Sequence, residues 1–167
     1  MTISIRPAEI GDVDTLLSLI RDLAAFERQP EAVKATAEDL RQAGFGPAPR
    51  FEALIAELDG RPCGFALFFE TYSTWTGRSG LFLEDLFVRD GARRQGIGRR
   101  LLVAVAGVAE VRGCRRLDLN VLEWNPARAF YEALGIMPLT GWAPYRVSGV
   151  ALAALAHAEP PLSPRRA

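Results

Sequence analysis

The sequence predicts an α+β domain built on one mixed, mostly antiparallel sheet with helices packed against it. Three observations predict this. Residues 51–58 and 62–74 are β-rich runs joined by Asp59-Gly60, a residue pair favoured in tight hairpins. Residues 80–88 form a third such run. That run opens through a glycine-containing loop into an Ala/Leu/Val-rich stretch, where Leu101, Leu102, Val105 and Val108 keep a helical spacing. At 167 residues, 49% apolar and 24% charged, the chain has the size and composition of one globular domain with a real core.

The elements follow in order. Residues 2–6 alternate polar and apolar, a short strand that Pro7 ends. A helix starts at Gly11 or Asp12, with Val13, Leu16, Leu17, Ile20, Leu23, Ala24 and Phe26 on one face. Pro30 breaks that period. Thr36 and Asp39 then stand at capping-box spacing and open a second short helix that Gly44 and Gly46 close. The strands at 51–58, 62–74 and 80–88 come next, the last two separated by a turn at Gly77. After the helix over 101–110, residues 116–121 alternate as a strand and residues 126–134 form a helix that Gly135 stops. Residues 137–139 and 145–147 read as two final strands, giving a sheet of about six to seven strands and about four flanking helices. A terminal helical turn or two over 149–156 completes a single domain spanning residues 1–157. Residues 158–167 carry no apolar period and are expected to be disordered.

Composition excludes several classes of function. Twenty basic and twenty acidic residues cancel, so no net field argues for nucleic acid or an anionic membrane. The apolar runs fall well short of a membrane span, and the first residues lack the form of a signal peptide. Two cysteines, Cys63 and Cys114, make no disulfide framework, and with one histidine they make no zinc site, so no metal is expected. A soluble, cytoplasmic protein is the reading that results.

The chemistry concentrates in residues 80–110. Arg93-Arg94-Gln95-Gly96-Ile97-Gly98-Arg99 lies between a strand and a helix. Backbone N–H groups point outward there and the helix dipole adds positive potential, a site for phosphate. A plain tight turn explains the glycines equally well. The dinucleotide fingerprint is excluded because Leu101 stands where its third glycine belongs, and the Walker loop is excluded because the stretch has no lysine. Just upstream stand two adjacent carboxylates, Glu84 and Asp85, which strand alternation sends to opposite faces unless a bulge intervenes.

Arg93, Gly96 and Gly98 directly after a strand resemble the Q/R-x-x-G-x-G/A pattern of the GNAT acetyltransferases. The resemblance extends to residues 83–88 before the loop and residues 124–135 after it. With residues 5–8 and 141–146, the chain is most similar to the spermidine/spermine (diamine) N-acetyltransferase branch over about residues 3 to 155. The fold this implies is the GNAT fold. The activity it implies is acetyl-CoA-dependent N-acetylation of a small primary amine, a diamine, polyamine or thialysine-like amino acid, by direct attack in a ternary complex. A non-catalytic CoA-binding sensor, or an acetyltransferase of protein N-termini or lysines, are the other readings.

Residue by residue, the resemblance implies that Arg93, Arg94, Gln95, Gly96, Ile97, Gly98 and Arg99 hold acetyl-CoA phosphates. Backbone of Leu86, Phe87 and Val88 faces the thioester, and the Asn125 side chain orders the cosubstrate. Glu84 is the implied base. Tyr131 is the implied proton donor, its phenol having an ordinary pKa of about 10 against about 8.5 for a free thiol. Phe26, Glu27, Trp75, Glu84, Asp85 and Trp142 are the implied amine-binding residues, while Trp124 and Pro126 read as structural. Two departures stand out. Asn125-Pro126-Ala127 lacks the residue the branch places between its Asn and Pro, and Ser73 stands where diamine acetyltransferases tend to carry an aspartate. The second weakens the case for a polyamine. The resemblance also implies a homodimer with a shared acceptor cleft.

Overall fold

The computed structural model describes residues 1–158; from residue 159 on, the tail expected to be disordered lies outside the described residues. The chain forms two compact units, Met1–Asn125 and a second that begins at Pro126. The first unit holds the whole sheet. Its strands β1 (Ile3–Pro7), β2 (Glu52–Leu58), β3 (Arg61–Ser73), β4 (Arg78–Val88) and β5 (Leu117–Leu119) lie side by side in chain order. The first four are antiparallel, and β5 joins β4 in parallel. The expected hairpin between β2 and β3 is present, with Asp59 and Gly60 at φ 50° and 74°, the positive pair that tight hairpin turns require.

Helices cover both faces of this sheet. On one side lie α1 (Val13–Phe26) and α2 (Ala37–Phe45), whose Val13, Leu16, Leu17, Leu19 and Leu40 pack with Ala53, Ile55, Phe65, Leu67 and Phe87. On the other, α3 (Ile97–Val111) buries Ile97, Leu101, Leu102, Val105 and Ala109. Alternation along β3 sends Phe65 and Phe68 to opposite faces, and both are buried, so each anchors one layer of the core. Truncating either to alanine costs about 3–5 kcal/mol.

Two arginines fix the frame. Arg6 grips Asp12 at 2.7 and 2.9 Å and Glu57 at 2.9 Å, joining β1 to β2 and to the start of α1. Arg89, just past β4, reaches Asp22 at 2.7 Å and Ser18 at 2.9 Å on α1. The α2 capping box is also present, Thr36 accepting from the Asp39 N–H while Asp39 accepts from the Thr36 N–H.

In the second unit, α4 (Ala127–Glu132) ends where Gly135 takes φ 82°, with the Ile136 N–H donating to the Tyr131 carbonyl. A fifth helix, α5 (Gly149–Ala156), follows. The fold class is as expected, but the strand count is lower: the described residues contain five strands and five α-helices. Residues 137–139 and 145–147 are not strands. Pro138 and Pro144 remove ladder donors, and Gly141 at φ 84° bends the chain out of extended geometry.

Candidate active site

The centre of the site is an irregularity in β4. Leu67 pairs with Asp85 and Phe68 with Leu83, which leaves Glu84 as the extra residue of a β-bulge. Cross-strand partners share a face, so Asp85 and Phe87 lie with Leu67 and Phe65 on the α1 side, while Leu83 stays with Phe68 on the α3 side. Without the extra residue, Leu83 and Asp85 would share a face. The bulge keeps a core leucine on one side and frees a carboxylate for the other. It also coincides with the end of the β4–β5 ladder, whose last pair is Leu83–Leu119. Beyond it, β4 from Glu84 to Val88 has no strand on its β5 side among the described residues. β5 was expected over 116–121 and is only three residues long for the same reason: a bulged strand bends and ends its pairing.

Three carboxylates converge on this point. Glu84 is exposed and Asp85 is half-buried. Burial pushes the Asp85 carboxyl up to about 6, and the negative charges of Glu84 and then Glu27 add to the effect. Glu27, the C-cap residue of α1, is itself raised by burial. Phe26 stands 6.4 Å from Phe87 between ring centroids, placing an aromatic wall beside the acids. Four of the predicted substrate residues, Phe26, Glu27, Glu84 and Asp85, are thus brought together.

The loop after β4 has the expected form, with one refinement. Arg93 is a structural residue by its contacts: Nε donates to the Val88 carbonyl at 2.7 Å, the guanidinium pairs with Asp90 at 2.7 Å, and it stacks on Phe26 at 4.5 Å. Its N–H donates to the Asp90 carbonyl. Arg94 and Gly96 take φ 61° and 79°, both left-handed. Gly96 caps α3 without any side-chain hydrogen bond, and no acidic residue stands in the first turn. The first helical bond runs from Arg100 to the Gly96 carbonyl, so the N–H groups of Ile97, Gly98 and Arg99 precede the helical ladder, with the exposed Arg94 and Arg99 beside them. Gln95 Oε1 is buried without a hydrogen-bond partner.

The remaining candidates are carried by other elements. Trp75 is exposed in the β3–β4 turn, and six residues of β4, about 20 Å of strand, separate the end of that turn from the bulge. Ser73, in place of the expected aspartate, is buried and fastens that turn, its hydroxyl accepting from the Thr76 N–H at 3.3 Å. Asn125 is buried, its N–H donating to the Leu122 carbonyl at 2.9 Å. Tyr131 and Trp142 belong to the second unit, Tyr131 buried with its ring 5.2 Å from Phe130 and Trp142 exposed. Sequence reasoning gave no role to Arg28, and read Trp124 as structural. The Arg28 guanidinium lies 4.5 Å over the Trp124 ring, which in turn stands 6.2 Å from Phe26. A contact between residues so distant in the chain leaves no trace in local pattern.

A bulged strand with a free edge, opening through a glycine loop into an uncapped helix, is the arrangement of an acyl-CoA-type transferase. The chain belongs to the acetyltransferase (GNAT) family, whose sequence profile matches residues 16–136, and it is an N-acetyltransferase. It is 41% identical to the thialysine N-epsilon-acetyltransferase of Bos taurus over 92% of this chain and 97% of that protein. It is 37% identical to spermidine/spermine N(1)-acetyltransferase-like protein 1 of Homo sapiens, over 85% of this chain and 22% of that longer protein. Among solved structures, an integron cassette protein from the mobile metagenome of V. cholerae superposes with a TM-score of 0.79 at 25% identity, covering 93% of this chain and 98% of that one. Among the described residues, no cluster of His, Cys, Asp and Glu is arranged to hold a metal, and no helix is long and apolar enough to cross a membrane.

Proposed function

We propose that the protein transfers the acetyl group of acetyl-CoA to the primary amine of a small molecule, by direct attack while both are bound in one domain spanning residues 1–157. The observation that carries this reading is the trio of Glu27, Glu84 and Asp85 at the point where β4 loses its β5 partner. A cationic amine is drawn to that trio, where burial raises Asp85 and Glu27 toward the range in which a carboxylate exchanges protons with an amine.

The residues fit the cosubstrate. The uncapped first turn of α3, free of acidic side chains, suits a pyrophosphate, with Arg94 and Arg99 beside it for charge-assisted bonds. Arg93 and Gln95 shape the loop, and Gln95 Oε1 is a buried acceptor for an amide N–H of the pantetheine arm. Asn125 orders that arm. When bound, acetyl-CoA supplies an acyl group activated as a thioester. Backbone at Leu86, Phe87 and Val88 lies along the free edge, where an N–H donor meets the thioester oxygen. Glu84 accepts a proton from the ammonium and passes it to solvent. The amine nitrogen then bonds to the carbonyl carbon, the carbon–sulfur bond breaks, the Tyr131 phenol protonates the departing thiolate, and the proton that nitrogen sheds on becoming an amide restores the phenol. Phe26, stacked against Phe87 beside the acids, lines the amine's path.

Between a polyamine and a smaller amine, the names of the two relatives point in different directions, and Ser73 favours the smaller one. Its hydroxyl is committed to the β3–β4 turn and offers no charge to a distal ammonium. We place the enzyme in the cytoplasm as a homodimer. The test is release of CoA thiol from acetyl-CoA against spermidine, putrescine, thialysine, lysine and a peptide N-terminus, using wild type, Glu84→Gln and Tyr131→Phe. Saturable turnover of one small amine, reduced about 10²- to 10⁴-fold in each variant, is expected. Tight acetyl-CoA binding with no turnover of any acceptor would instead favour a sensor.

A further inference from the structure

The acids of the acceptor site have a neighbour of opposite sign. Arg28 follows Glu27 directly, is exposed, and takes the left-handed backbone conformation at φ 62°. That conformation turns the chain sharply as α1 ends, with the Arg28 N–H donating to the Ala25 carbonyl at 3.1 Å. A non-glycine residue there carries a backbone cost of about 1 kcal/mol, which the surroundings must offset. The side chain packs on an indole: its guanidinium carbon lies 4.5 Å over the Trp124 ring. Trp124 is fixed in turn by Phe26 at 6.2 Å, and Phe26 by Phe87 at 6.4 Å, so Arg28 ends an aromatic row that starts beside Asp85.

The arrangement is built for recognition more than for stability. Among the described residues Arg28 forms no ion pair with any carboxylate, although Glu27 is adjacent; every other arginine close to the acids is engaged, Arg93 by Asp90 and Arg89 by Asp22. Contact with the ring restricts the guanidinium without using the N–H donors at its edge, and that planar fork reads a carboxylate through two parallel bonds. A cation one residue from Glu27 also acts against a substrate with a second ammonium, since it repels the distal charge that a diamine would bring.

We propose that Arg28, stacked on Trp124, binds the carboxylate of an amino-acid acceptor whose side-chain amine sits at Glu27, Glu84 and Asp85, and thereby selects amino acids over diamines. Arg28 is a specificity residue and takes no part in bond making. The inference rests on the acetyltransferase reading above and deepens it.

The test compares thialysine with bis(2-aminoethyl) sulfide, the same thioether amine without its carboxylate, in wild type, Arg28→Ala, Arg28→Lys and Arg28→Glu. Wild type is expected to favour thialysine in kcat/KM. Arg28→Ala is expected to lose about 10- to 100-fold on thialysine, mainly through KM, with the diamine rate held or improved. Arg28→Lys should restore part of the loss, and Arg28→Glu should reverse the preference. The diamine rate doubles as the check that each variant is folded. Equal losses on both acceptors, or an unchanged ratio, overturn the inference and leave the enzyme reading intact. Turnover of neither acceptor by wild type overturns both.

Discussion

Asp85 is a carboxylate that the fold holds at a disadvantage. Its pKa of about 6 lies above the ordinary aspartate value of about 3.9, so the folded protein binds its proton more tightly than the unfolded chain does. The sign follows directly: the cost is absent below pH 4, where both states are protonated, grows between pH 4 and 6, and is complete above 6. Two units correspond to about 3 kcal/mol, which solvent on the open side reduces to about 1–2. Asp85→Asn is therefore expected to raise unfolding stability by that amount at pH 7.5 and to leave it unchanged at pH 3.5, measured by urea denaturation at both. The same variant should bind a cationic acceptor more weakly, because the stored repulsion is what an ammonium relieves. Glu84 and Asp85 were legible as a pair from sequence, but the bulge that separates their roles was not, since nothing in residues 83–88 announces an extra residue. Ser73 was legible only as a departure; its contact with the Thr76 N–H supplies the reason a serine serves there.

The elements between residues 51 and 88 were readable because their signals are local: alternation, an Asp-Gly turn and a glycine at Gly77, which takes φ 61°. The C-terminal strands were not, because a short apolar run becomes a strand only when a neighbour supplies its ladder. The strand-to-helix loop shows the opposite case, where a two-glycine pattern reports a backbone need. Gly96 sits at φ 79°, and an added Cβ there would meet nothing within 4 Å. The requirement is conformational and not steric. Gly96→Ala is therefore expected to cost about 1 kcal/mol of stability and to weaken acetyl-CoA binding several-fold, by calorimetric titration, as the first turn of α3 shifts away from its donor geometry. Affinity equal to wild type would show that the loop backbone does not hold the phosphates.

At the scale of the molecule, membership of the acetyltransferase family rests on a profile matched across residues 16–136, while assembly must be sought in its surface. All eight residues of α5 are exposed, Val150, Leu152 and Leu155 among them, as are Met137, Leu139 and Tyr145 in the same unit. Apolar surface of this kind calls for cover. The proposed homodimer predicts that sedimentation gives a dimer for wild type and that Leu152→Glu with Leu155→Glu shifts it to monomer with an unchanged circular dichroism spectrum. A monomeric wild type at micromolar concentration would end that proposal. The order of strands carries one more consequence, for how the chain assembles as it is made. Strands β2, β3 and β4 each pair with the next along the chain, so a ribosome can release residues 52–88 as a self-sufficient meander. Strand β5 must wait for all of α3, and then adds three residues in parallel to an edge already bent away. Held by three pairs, β5 is the least-paired strand of the sheet, and it borders the edge proposed to be reactive, so thermal inactivation is expected to precede global unfolding.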